Sequence, residues 1–213
     1  MSDDILAYAS VLRLSRADLN VLKVSDAYSL HRVVYGLFED LRSDAEKKAS
    51  LPSGIVYADK GGDFKNRRIL VLSTRKPHQT PQFGKVETKP VTLGFLMHSH
   101  YAFEVTLNPS RRDKQSGKIV PLRSREEVTH WFLQRSDRSW GFSVNQVNLQ
   151  TDKVGVQVFK KGESSITHGY ATLKGELAVT DPYRFRQSFL QGIGRGRAFG
   201  FGLLQIVPLS NNQ

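Results

Sequence analysis

The sequence predicts an α+β protein of two tandem ferredoxin-like (β-α-β-β-α-β) units, the first of them incomplete, ending in a C-terminal glycine-rich loop. Three observations carry that expectation. Strand- and helix-patterned segments run strand–helix–strand–strand and then restart after a proline-bearing stretch. The candidate helices begin at N-capping residues. The chain has 213 residues, of which 39% are hydrophobic, enough to bury one large core or two small ones.

Taken in order, Ile5 to Leu14 interleaves apolar and polar residues as a first strand. Ser25 and Asp26 are N-cap candidates for a helix from Ala27 to about Leu41. Ser53–Ala58 and Arg67–Ser73 are β-rich and flank the turn-forming Lys60-Gly61-Gly62-Asp63. Arg75 to Pro90 holds Pro77, Pro81 and Pro90 and shows no helical period, so no second helix is expected there. It is read as an irregular return segment and a domain boundary. The expected units are residues 1–92 and 93–213.

In the second unit Tyr101–Leu107 alternates as a strand ending at Asn108-Pro109, and a basic loop follows from Arg111 to Lys118. Ser124–Arg135 is a helix capped by Ser124, with Glu126 and Glu127 in its first turn. Phe142–Leu149, Val154–Phe159 and Tyr170–Val179 are strands, with a long hairpin around Lys160-Lys161-Gly162. Asp181 caps a helix to about Leu190, and Leu203–Val207 is a last, short buried strand.

Lys and Arg number 31 against 20 Asp and Glu, a net charge of +11 with a pI near 9.9. That balance favours a polyanionic partner. There is no cysteine, which excludes disulfides, zinc–thiolate sites and a cysteine nucleophile. No apolar run approaches the ~20 residues that span a bilayer. The acidic start Met1-Ser2-Asp3-Asp4 is unlike a signal peptide. A soluble cytoplasmic protein with no membrane partner is expected.

Gly192-Ile193-Gly194-Arg195-Gly196-Arg197-Ala198-Phe199-Gly200-Phe201-Gly202 holds five glycines, Gly192, Gly194, Gly196, Gly200 and Gly202, with Arg195 and Arg197 between them. Glycine lets backbone N–H groups approach an anion, and arginine offers a planar cation suited to phosphate. A dinucleotide loop does not fit, because a strand follows and only 11 residues remain after Gly202. Arg197–Phe201 is similar to an RRM signature, but no further helix and strand follow it. Two readings stay open: a loop whose N–H groups hold an RNA backbone, and tight helix-to-strand packing.

On the helix from Ala27, Leu30, Val33, Val34, Leu37 and Leu41 form one apolar face. Tyr28, His31 and Tyr35 fall on a different stripe, with His31 at the border beside Phe38. A lone helical histidine is usually structural. An edge position nevertheless suits a proton shuttle, since an unperturbed imidazole titrates near pH ~6.5. His98 and His100 share a strand face but have no third metal ligand, and Glu127 and His130 have a Glu-x-x-His spacing without the second copy it needs. No metal or other cofactor is assigned. His78 and His168 have no evident partner set. The basic clusters Arg111/Arg112/Lys114/Lys118, Lys160/Lys161 and Arg184/Arg186/Arg195/Arg197 all lie in the second half and, with the glycine loop, point to nucleic acid.

With these residues placed, the chain resembles the CasE family, the CRISPR pre-crRNA endoribonucleases of type I-E systems within the repeat-associated RNA-binding superfamily. The resemblance is carried in order by Asp26-Ala27-Tyr28-Ser29-Leu30-His31-Arg32, Leu107-Asn108-Pro109, Val120-Pro121-Leu122 before Trp131-Phe132-Leu133, Gly175-Glu176-Leu177-Ala178-Val179-Thr180-Asp181, and Gly192-Ile193-Gly194 through Gly202-Leu203-Leu204. These pieces span almost the whole chain. The chain departs from the family in the extension before its first strand and in the missing second helix of its first unit.

The resemblance implies two ferredoxin-like domains gripping a CRISPR repeat hairpin, cut without metal at the 3′ base of the stem. The RNA's own 2′-hydroxyl would be the nucleophile, leaving a 2′,3′-cyclic phosphate and a 5′-hydroxyl. It implies His31 as general acid or base and Tyr28 at the scissile phosphate. Lys160 and Lys161 would contact RNA and support the developing charge. Arg111, Arg112, Arg195 and Arg197 are expected RNA contacts. The implied partners are the crRNA stem-loop, which the enzyme retains, the other subunits of the Cascade complex, and a phage anti-CRISPR inhibitor. The alternative function is a non-catalytic RNA-binding scaffold subunit of the same fold. A metal nuclease built on His98 and His100 is a third reading.

Overall fold

The computed structural model describes residues 4–39, 53–63, 65–161 and 164–210. Its first sheet joins β1 (Ile5–Ser15), β2 (Ile55–Gly62), β3 (Asn66–Ser73) and β4 (Lys85–Thr92) in the order β2-β3-β1-β4, every neighbour antiparallel. Among the described residues β1 is followed by the helices α1 (Arg16–Val21) and α2 (Ala27–Tyr35). α1 was not expected. Its Ser15 cap and Asp18 bond each other's backbone reciprocally, a capping box worth about 1 kcal/mol. Asp26 and Ser29 form the same device at the start of α2.

α2 stops at Tyr35, short of the expected Leu41, which lies outside the described residues. Gly36 caps the helix, Leu37 and Phe38 turn into the core, and the His78 N–H takes the Leu37 carbonyl. The core under α2 holds Leu12, Leu14, Leu30, Val34, Leu37, Phe38, Ile55, Tyr57, Ile69 and Val71.

The stretch read as irregular up to Pro90 contains the edge strand β4. Pro90 is tolerated because β4 has a partner, β1, on one side only in the sheet order. Residues 74–84 between β3 and β4 form no helix.

The second sheet joins β5 (His100–Leu107), β8 (Phe142–Val144), β9 (Gln150–Lys161), β10 (Ser164–Val179) and β11 (Gln205–Pro208). Its order is β11-β5-β10-β8, with β9 also paired to β10. The expected basic loop is a two-stranded ribbon of β6 (Ser110–Arg112) and β7 (Ile119–Pro121). α3 (Arg125–Arg135) carries the expected Ser124 cap, boxed with Glu127. α4 (Pro182–Gln191) is capped by Asp181. The expected strand Phe142–Leu149 is cut to β8, because the chain enters a 3-10 turn at Gln146–Asn148 capped by Asn145. The last strand begins at Gln205; Leu203 and Leu204 pack into the core just before it. His98 precedes β5, so it and His100 share no strand face.

A second core joins both sheets. Ala7, Val56, Ala58, Leu72 and Val91 of the first sheet meet Phe103, Phe132, Phe142, Phe185, Phe189, Ile193 and Leu203. Lys60 on β2 bridges to Glu104 on β5, and its amine also bonds Gln205 at 3.1 Å. Burial alone would raise the Glu104 carboxyl, but the hydrogen bond and charge of Lys60, helped by Lys174, outweigh it and hold the group below its ordinary value. No helix among the described residues is long and apolar enough to cross a membrane.

Candidate active site

The two halves meet where α2 faces the glycine-rich segment. His31 lies in the middle of α2. Its ring centroid is 4.1 Å from that of Tyr35, one turn on, and 6.3 Å from that of Tyr28, one turn back. Residues three and four apart share a helix face, so the Tyr28/His31/Tyr35 stripe follows from spacing alone. Tyr35 is anchored by a 2.9 Å bond between its hydroxyl and Ser53 Oγ. The Arg32 guanidinium stands 5.8 Å from the Tyr28 ring.

From the other half comes a 3-10 turn, Arg197–Phe199. Nδ1 of His31 lies 2.7 Å from the Ala198 carbonyl oxygen. A carbonyl only accepts, so Nδ1 carries the proton and donates it. Proton exchange then falls to Nε2, the other ring nitrogen. The Phe199 ring packs 5.9 Å from His31 on one side and 5.3 Å from His168 on the other. Burial lowers the His168 imidazole below its ordinary range. The same Ala198 oxygen accepts the hydroxyl of Tyr57 at 3.1 Å. Tyr57 is fully buried on β2, and burial pushes its phenol above the ordinary range.

The five glycines shape this turn. All have φ between +73° and +86°, where a side chain is strained. At Gly202 a Cβ would stand 2.3 Å from the Ile193 carbonyl, and at Gly200 it would press on the Tyr57 ring at 3.2 Å. Several N–H groups of the run are bound internally: Ile193 to the Gly202 carbonyl, Phe199 to Gly196, and Gly202 to Thr106.

Beside the turn a cleft of about 410 Å³ opens between the halves. Ala27, Leu30, Phe199 and Phe201 line it, with Asp59 and Arg67 among its polar groups. The Arg67 guanidinium holds Asp59 through Nε at 3.2 Å and a terminal nitrogen at 2.5 Å.

The structure therefore brings the Tyr28 and His31 of α2 together with the glycine segment, far from them in sequence. Arg195 is exposed on that segment, whereas Arg197 bonds the Gln191 carbonyl at 3.0 Å, at the end of α4. Arg111 and Arg112 stand exposed on the β6–β7 ribbon; Arg111 lies 3.6 Å from Glu127 and Arg112 bonds the Gly117 carbonyl at 2.6 Å. The ribbon's base reaches β10 at Gly169, where a Cβ would meet Pro121 at 2.9 Å. The backbones of Lys160 and Lys161 end β9, while their side chains lie outside the described part. Among the described residues no three His, Asp or Glu side chains converge as a metal-ligand set. Sequence reasoning missed Tyr57, Ala198 and the Asp59–Arg67 pair. The one available signal was Tyr57 itself, a polar-tipped aromatic inside the apolar run Ile55–Ala58.

The sequence and the fold are similar to those of known proteins. A family model described as "CRISPR associated protein" matches residues 7–208. The CRISPR-associated endoribonuclease Cse3 of Thermus thermophilus is 32% identical over 116 residues, a match spanning 50% of this chain and 54% of that protein. The Cascade subunit CasE of Escherichia coli is 24% identical over 195 residues, covering 86% and 93%. The fold is similar to a structure of Cse3 bound to a 19-nucleotide RNA, with a TM-score of 0.78, 20% identity and coverage of 95% and 99%. It is also similar to the crystal structure of Cas6e from Escherichia coli, at 0.71, 20%, 95% and 100%.

Proposed function

The chain belongs to the CRISPR-associated protein family, and from that premise we propose that it is an endoribonuclease of the CasE type that cuts CRISPR repeat hairpins in pre-crRNA. The observation that carries the reading is the bond between His31 Nδ1 and the Ala198 carbonyl at 2.7 Å. It directs Nε2 of a catalytic imidazole to proton exchange with the RNA. The names of the relatives, an endoribonuclease and a Cascade subunit, support the same substrate and assembly.

In the proposed reaction the 2′-oxygen of the nucleotide before the cut forms a bond to phosphorus, and the bond from phosphorus to the 5′-oxygen breaks. His31 Nε2 takes the proton of the attacking 2′-hydroxyl or gives one to the leaving 5′-oxygen, with solvent serving the other oxygen, and the Tyr28 hydroxyl donates a hydrogen bond to the scissile phosphate. The products are a 2′,3′-cyclic phosphate and a 5′-hydroxyl. No metal takes part in these steps. Lys160 and Lys161 offset the negative charge that builds on the phosphorane oxygens. Arg111, Arg112 and Arg195 hold the stem backbone, and Arg197 braces the glycine turn.

The two sheets serve as tandem ferredoxin-like domains, 1–92 and 93–213, that grip the hairpin between them. The enzyme keeps its product and joins the other Cascade subunits, and a phage anti-CRISPR inhibitor would compete for those surfaces. The test is binding and cleavage of a labelled CRISPR repeat hairpin beside an RNA of equal length with a scrambled stem. Selective binding and a single cut at the 3′ base of the stem support the reading. Equal affinity for both RNAs, or binding without any cut, overturns it.

A further inference from the structure

The hydroxyl of Tyr57 converges with His31 on one acceptor. Both donors come from the first half of the chain, on β2 and α2, and the acceptor, the Ala198 carbonyl, comes from the second. A carbonyl oxygen has two lone pairs, so it can take both donors at once. From this geometry we infer that Tyr57 is a positioning residue for His31, acting through the Ala198 carbonyl. The catalytic part of that inference rests on the function proposed above; the structural part does not.

Three features make Tyr57 suited to the task. It stands on a strand between Val56 and Ala58, both buried, so the first sheet fixes its hydroxyl. Its ring packs against Gly200, where a Cβ would come within 3.2 Å, so the turn is seated on the ring as well as bonded to the hydroxyl. The turn Arg197–Phe199 has no side-chain cap of its own, and its closing bond from Gly200 to Arg197 is long at 3.4 Å. A carbonyl in such a turn needs an outside donor to hold its direction. Burial keeps the phenol protonated, and so a donor, throughout the neutral and mildly alkaline range.

With the carbonyl fixed, the Nδ1–H tautomer of His31 is fixed too, and Nε2 presents its lone pair in one direction. Without the Tyr57 hydroxyl the carbonyl can swing, the Nδ1 bond weakens and the other tautomer becomes populated. Small misplacements of a catalytic group cost rate far more than binding.

The test is Tyr57→Phe, which keeps the ring. Single-turnover cleavage of the repeat hairpin should slow about tenfold, while affinity for a 2′-deoxy, uncleavable hairpin stays within about twofold. The imidazole nitrogen resonances of His31 in the RNA-free protein should move from the Nδ1–H form to a tautomer mixture. A merely structural role would lower the melting temperature without moving the tautomer. If Tyr57→Phe does not fold, the native protein still decides: its Tyr57 hydroxyl and His31 Nδ1 protons should exchange slowly and show a mutual nuclear Overhauser effect. An unchanged rate with an unchanged tautomer, or no such pair of protons, overturns the inference. Failure of the native protein to cut RNA would overturn the proposed function instead, and the resonances would still test Tyr57.

Discussion

The Nδ1 atom of His31 lies 2.7 Å from the carbonyl oxygen of Ala198, 167 positions further along the chain. This contact joins the helix that carries the imidazole to the glycine-rich segment that orients it. It turns two separate sequence features into one site.

His31→Ala removes the proposed proton-exchanging group and leaves α2 capped by Asp26. Cleavage of the repeat hairpin should fall by about 10²–10⁴-fold, the usual worth of a general acid or base. Affinity for the hairpin should change little, since phosphate contacts carry most of it. Single-turnover kinetics beside a filter-binding titration check both halves of the statement.

Gly202→Ala and Gly117→Ala separate packing from backbone strain. Both glycines have positive φ, +86° and +67°. At Gly117 a Cβ would meet nothing within 4 Å, so only the backbone term of about 1 kcal/mol applies. At Gly202 the Cβ would stand 2.3 Å from the Ile193 carbonyl, and the chain there must shift. Urea unfolding should show Gly202→Ala losing roughly 2–3 kcal/mol more than Gly117→Ala.

Glu104 ties the halves through Lys60 and sits below its ordinary carboxylate value. Its folded-state value is depressed, so its contribution is present above the unfolded value near ~4.3 and is lost as pH falls through the folded value. Glu104→Gln should cost roughly 0.5–1 kcal/mol at pH 7, modest because the pair is partly exposed. The difference from the native protein should vanish at the acid end of a series of melts.

Arg111 and Arg112 are exposed on the β6–β7 ribbon. Replacing either with alanine should weaken hairpin binding without changing the cleavage position. The slope of log affinity against log salt should shrink by about 1 for each phosphate contact removed. An unchanged slope would take the ribbon out of the proposed RNA interface.

Much of the fold was legible because it is local. The capped starts of α2, α3 and α4 need only a capping side chain and a periodic run, and those are printed in the sequence. The alternation of His100–Leu107, with every second residue buried, marks β5 in the same way. What escaped depends on partners distant in sequence. Strand β4 carries Pro90, a strand breaker except at an edge, and only its pairing with β1 shows that it is one. Past the end of α2 at Tyr35, the β3–β4 segment takes the next carbonyls: His78 N–H bonds Leu37 and the Arg75 guanidinium bonds Glu39.

The site divides similarly. The Tyr28/His31/Tyr35 stripe follows from 3.6-residue spacing, and the glycine run announces itself. Nothing local says that Ala198 supplies the acceptor or that Tyr57 shares it, because both facts arise only when the halves close. Arg197, expected as an RNA contact, also has a local partner that the sequence does not show: its guanidinium bonds the Gln191 carbonyl.

The most direct test of the central claim is the chemistry of the ends left by cleavage. The native protein is incubated in EDTA with the repeat hairpin, and with the same RNA bearing a single 2′-deoxynucleotide before the cut. The His31 site predicts undiminished cleavage of the first, giving a 2′,3′-cyclic phosphate and a 5′-hydroxyl, and none of the second. Cleavage of the 2′-deoxy RNA, loss of activity in EDTA, or products ending in a 5′-phosphate would contradict it.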